Sequence, residues 1–123
     1  MDAFLKTLQT LPEASELIAR VENGGCPAVL TGTAPVQRAC IGAAVAAGTG
    51  RPAVFLCADE REARQLAGDL QNLTGQEPVM LLAREWQFRP NAVASREWER
   101  SRLAALYRMA SGAVPAVVAT IDA

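Results

Sequence analysis

Histidine is absent from this chain of 123 residues, and that absence excludes more chemistry than any other feature of the composition. Serine–histidine triads, histidine general bases and histidine-ligated zinc all need an imidazole, so none of them operates within these residues. Lysine occurs once, as Lys6, and the other basic residues are arginine; 12 basic against 13 acidic residues leave a net charge of -1. A charge so balanced gives no whole-molecule field to draw in DNA or an anionic membrane, and nucleic-acid binding would need a local patch. Cysteine is sparse too: Cys26, Cys40 and Cys57 are odd in number and form no C-x-x-C pair. That usage fits buried, reduced thiols in a cytoplasmic protein. No segment approaches the roughly 20 apolar residues of a membrane span, and the start, Met1 to Lys6, has no cationic stretch leading into an apolar run.

What is present suits one packed domain. Hydrophobic residues make up 50% and charged residues 20%, a balance too apolar for disorder. Phe4, Leu5 and Leu8 predict a short helix before Pro12. Leu17, Ile18 and Val21 predict a second, closed by Asn23-Gly24-Gly25. Short apolar runs then alternate with longer amphipathic ones, the pattern of parallel strands joined by crossover helices, so the fold class is α/β.

Ala28 to Leu30 is the first strand candidate, followed by a helix from Pro35 to about Ala47 that ends at Gly48-Thr49-Gly50. Ala53 to Cys57 is a continuous apolar run suited to a strand covered on both faces, and Ala63, Leu66, Ala67, Leu70 and Leu73 form the stripe of the next helix. Val79 to Leu82 is a third strand, and residues 83–95 form a long loop. A helix from Arg96 places Leu103, Leu106, Tyr107 and Ala110 on one face, and Val117 to Thr120 is the last strand. Because a crossover should follow that strand, the chain reads as residues 1–123 of a single, partial domain cut from a longer multidomain protein.

Three stretches imitate chemistry. A phosphate loop reads G-x-x-x-x-G-K-[ST]: glycines let the backbone wrap the phosphates, lysine reaches the β and γ groups, and the hydroxyl holds magnesium. The corresponding stretch here runs from Val29 and Leu30 into Thr31, Gly32, Thr33, Ala34, Pro35 and Val36. Val29 and Ala34 stand where the outer glycines belong, Pro35 replaces the lysine and Val36 the hydroxyl residue. Pro35 also removes a backbone donor, and the nearest cation, Arg38, lies one turn into the helix. No cofactor and no metal are expected.

The second stretch, Asp59-Glu60 after an apolar strand, superficially resembles the magnesium-holding acidic pair of nucleotide hydrolases. Asp59-x-x-Glu62 is equally a helix cap, with both charges well placed on the helix dipole. The third interleaves aromatics and arginines: Arg84-Glu85-Trp86-Gln87-Phe88-Arg89-Pro90, then Arg96, Arg100 and Arg102. This is the composition of a stacking platform for single strands. Glu85, Glu97 and Glu99 mix the sign, so a protein-facing surface built on Trp86, Phe88, Arg89, Arg96 and Arg100 is preferred to direct DNA contact.

The order of these segments resembles the N-terminal module of the bacterial transcription-repair coupling factors (the Mfd family), itself similar to the first domain of the excision-repair helicase subunit UvrB. The resemblance covers essentially the whole chain. It rests on Leu8 to Pro12, Val29 to Gly32, Asp59 to Ala63, Arg84 to Arg89, Ser95 to Arg100 and Arg102 to Arg108. It implies a RecA-like, P-loop-type domain with a degenerate nucleotide site, non-catalytic in itself. In that family a separate C-terminal ATP-driven motor displaces stalled RNA polymerase, and the N-terminal module recruits UvrA. The family's UvrA-contacting insertion would follow Ile121, so that contact is expected outside these residues. Direct DNA contact is expected to be weak or absent, and self-association through an unpaired sheet edge is expected. The competing readings are an active P-loop nucleotide hydrolase or helicase half, and a DNA-binding module.

Overall fold

The computed structural model describes residues 2–83, 96–112 and 114–123. Among them, five helices and three strands follow one another as α1 (Asp2–Gln9), α2 (Pro12–Glu22), α3 (Pro35–Thr49), β1 (Ala53–Cys57), α4 (Glu60–Thr74), β2 (Val79–Leu81), α5 (Arg96–Ala110) and β3 (Ala116–Thr120). The strands form one parallel sheet in the order β1-β3-β2. The protein is therefore mixed α/β with a small parallel sheet, and no helix of the described residues is long and apolar enough to cross a membrane.

Local signals account for most of the boundaries. Pro12 and Pro35 open α2 and α3 at positions where a missing N–H costs nothing. Gly50 and Gly75 close α3 and α4 in the left-handed conformation, at φ 65° and 72°. Asp59 caps α4: its Oδ1 accepts the Glu62 N–H at 2.8 Å.

The core divides by sheet face. Ala39 and Ala43 of α3 and Ala63, Ala67 and Leu70 of α4 meet Cys57, Ala116 and Val118 on one face, with Phe55 and Met80 packed alongside. On the other, Ala105 of α5 packs with Val79 and Val117, flanked by Leu81, Met109 and Val114. The alanines matter because small side chains bring helix and sheet backbones close, and at Gly42 of α3 an added Cβ would run into the Phe55 ring.

Three expectations are corrected. Ala28 to Leu30 is not a strand: no strand among the described residues pairs with it, and Val29 is 88% exposed. An apolar run of three residues is a strand only where a neighbour accepts its backbone bonds, and no described strand does so here. The strand covered on both faces is β3, every residue of which is buried; β1 lies at the edge, with Val54 64% and Leu56 73% exposed on the α5 side. A continuous apolar run does not distinguish centre from edge, because strand order is a tertiary property. Finally, α5 does not bury Leu103, Leu106 and Tyr107, which are all exposed. It turns Trp98, Arg102, Ala105 and Met109 inward instead, a stripe at the same helical spacing shifted around the axis. Two polar anchors set that rotation: Trp98 Nε1 donates to the Ala83 carbonyl and Arg102 Nη1 to the Leu82 carbonyl, each at 3.3 Å, with the guanidinium 5.5 Å from the indole centroid.

Candidate functional site: the turn before helix α3

The carboxyl ends of parallel strands and the amino ends of the helices they pack against are where α/β proteins gather ligands. Here that end carries the turn from Thr31 to Ala34, the first turns of α3 and α4, and the segment Cys57 to Asp59. Thr33 is half-buried, whereas Thr31, Gly32, Ala34, Pro35 and Val36 are exposed. Gly32 sits at φ 76° with open space where a side chain would go, so its conformation, and not crowding, calls for glycine.

Two hydrogen bonds fix the start of α3. The Ala34 N–H donates to Gln37 Oε1 at 2.8 Å, and the Arg38 N–H donates to the Ala34 carbonyl at 3.1 Å. Only half of a capping box forms, because alanine offers no side-chain acceptor. Pro35 has no N–H to give.

Arg38, the one cation near the turn singled out from sequence, points across to α4, where its Nη1 donates to Glu62 Oε1 at 3.0 Å. The other oxygen of Glu62 accepts the Ala58 N–H at 3.0 Å. Glu62 thus closes the cap by reaching one residue beyond Asp59, and ties α3 to the end of β1. The remaining first-turn acid, Glu60, is paired with Arg64 in an i,i+4 ion pair. Among the described residues of these first turns, Asp59, Glu60 and Glu62 balance Arg38, Arg61 and Arg64, so no excess of positive charge is left there to gather a polyphosphate. An open cleft of about 540 Å³ lies elsewhere, at the amino ends of the strands, lined by Leu5, Ala47, Arg51, Phe55, Gln76 and Pro115.

Among the described residues no three side chains of metal-ligating type come together. Cys57 is buried below the turn, and its thiol is pushed above its usual pKa first by burial, then by the Glu62 and Asp59 carboxylates, with Arg38 opposing. Cys40 is raised as well, by burial and then by Asp69. Raised thiols keep their protons longer in the folded state than in the unfolded one. Their contribution to stability is therefore complete below the usual thiol range of about 8.5 and is lost as pH climbs above it. At neutral pH iodoacetamide should alkylate exposed Cys26 first and buried Cys57 last. Mass spectrometry showing Cys57 modified as fast as Cys26 would contradict the packing around it.

Of the arginine–aromatic candidates, Arg96 and Arg100 lie exposed on α5, while Trp86, Phe88 and Arg89 fall outside the described residues. Arg102, named with them, serves packing through its bond to Leu82. Sequence reasoning identified Arg38 and Glu62 separately but missed their pairing. No local signal carries it, since the partners are 24 residues apart.

The protein is a small parallel α/β domain in which the turn before α3 carries Pro35, Val36 and an arginine paired with Glu62. Compared with protein-family models, curated proteins and solved structures, the chain matches none.

Proposed function

We propose that this chain is a non-catalytic scaffold, a RecA-like, UvrB-like part of the N-terminal module of a cytoplasmic transcription-repair coupling factor. In this reading it helps that module bring the excision-repair protein UvrA to stalled RNA polymerase, and it binds no cofactor of its own. The observation that carries the non-catalytic part is the Arg38–Glu62 pair: the nearest cation is spent on a carboxylate, behind a turn whose lysine position is Pro35. Recruitment rests on the resemblance of Arg84 to Arg89, Ser95 to Arg100 and Arg102 to Arg108 to that family.

Calorimetric titration with magnesium and ATP is expected to give no heat of binding. A micromolar dissociation constant would replace the scaffold with an active nucleotide hydrolase. A UvrA pull-down comparing this chain with one extended beyond Ala123 tests recruitment, and capture by the longer chain alone is the expected result. Failure of both chains to capture UvrA would reject the coupling-factor assignment. Strong binding to single-stranded DNA that falls steeply with salt would favour the DNA-binding alternative.

A further inference from the structure

We propose that the outer edge of β1 pairs with the same edge of a second copy of this chain, antiparallel and centred on Phe55, to make a weak dimer with one continuous sheet. In β1 the backbone groups alternate sides. Ala53 donates to the Pro115 carbonyl and the Cys57 carbonyl accepts from Ile121, so the odd-numbered residues face β3. The N–H and C=O of Val54 and Leu56 therefore point to the other side, where among the described residues no strand pairs with them.

This edge is bounded at both ends. Pro52 has no N–H, and the Ala58 N–H is held by Glu62 at 3.0 Å. Two residues are left to pair, and a two-fold axis through Phe55 sets Val54 of one copy opposite Leu56 of the other. Each such pair exchanges two backbone hydrogen bonds. It also lays Val54 beside Leu56 on the face where both are now mostly exposed, burying their side chains against each other.

Charge selects the same register. No charged residue lies within β1, but Arg51 precedes it and Asp59 follows. Antiparallel pairing about Phe55 brings each Arg51, just before β1, to the end where the partner's Asp59 follows it. A parallel arrangement would set like charges together. The interface is small, which makes the dimer concentration-dependent.

Sedimentation equilibrium of the 123-residue chain, from low micromolar to near-millimolar concentration, should show the average mass rising from 13.0 kDa toward twice that value. Leu56→Lys, at an exposed position, should leave the circular dichroism spectrum and melting temperature unchanged and weaken the dimer at least about tenfold. Arg51→Glu should weaken it about threefold, an effect that disappears in high salt.

Register is tested by cross-linking in a Cys26→Ser background under oxidised glutathione. A mixture of Val54→Cys and Leu56→Cys chains should form a disulfide between positions 54 and 56. Either variant alone should not, because its own cysteines would lie about 7–8 Å apart, beyond disulfide reach. A strict monomer at all concentrations, a dimer indifferent to Leu56→Lys, or equal cross-linking in the single-variant samples would each overturn the proposal.

Discussion

Replacing Leu70 with alanine should lower the free energy of unfolding by about 3 kcal/mol, within the range for large-to-small changes at fully buried sites. Leu70 is among the largest fully buried side chains, and it fills the space between α4 and the sheet beside Ala43 and Val118. Its neighbours there are mostly alanines, which cannot extend to fill a void, so the cavity contribution adds to the lost transfer free energy. For a chain of this length the melting temperature should fall by about 10 °C. Leu103→Ala is the control: that leucine is exposed on α5, and its truncation should change stability by less than about 0.5 kcal/mol. Urea melts of the two variants check both statements. Equal losses would mean that α5 docks through the face containing Leu103 after all.

The second large effect is expected at Gly42. Glycine in a helix interior costs about 1 kcal/mol relative to alanine, so an ordinary helical glycine is a position where substitution stabilises. Gly68 in α4 is of that kind: it is exposed, has no atom within 4 Å of where its Cβ would stand, and should gain about 1 kcal/mol as Gly68→Ala. Gly42 is the opposite case. A Cβ there would come within 2.7 Å of Phe55 Cζ and closer still to Cε1, at the contact between α3 and β1. Gly42→Val should therefore cost about 2–3 kcal/mol despite the better helix propensity, because the ring must leave its packed position. Pairing Gly42→Ala with Phe55→Leu should recover most of whatever Gly42→Ala loses alone. A stabilised Gly42→Val would show that α3 does not approach the sheet this closely.

The two glycines show where local sequence stops being informative. Both sit inside helical patterns, and the difference between them is set by Phe55, a residue from another element. The candidate site divides in the same way. The presence of Pro35 and Val36 in the turn was readable directly, since it concerns residue identity. So was the Asp59 cap, a contact spanning three residues. The Arg38–Glu62 pair and the Glu62 bond to Ala58 depend on α3 lying beside α4, which no spacing along the chain specifies. The rotation of α5 was misread because Leu103, Leu106 and Tyr107 make the more apolar stripe. What turns the helix is two hydrogen bonds to the carbonyls of Leu82 and Ala83, distant contacts whose directionality outweighs a modest difference in hydrophobicity.

By itself the amino-acid sequence determined the α/β class, the bounds of α3, β1 and β3 to within a residue or two, and which side chains stand in the turn before α3. Periodicity, proline and glycine punctuation and side-chain identity are all local properties. Only the tertiary structure decided that β3 is central and β1 an open edge, that Ala28 to Leu30 pairs with nothing described, and that Arg38 belongs to Glu62. Strand order and ion pairing are choices among distant partners, and their free energies depend on which surfaces meet.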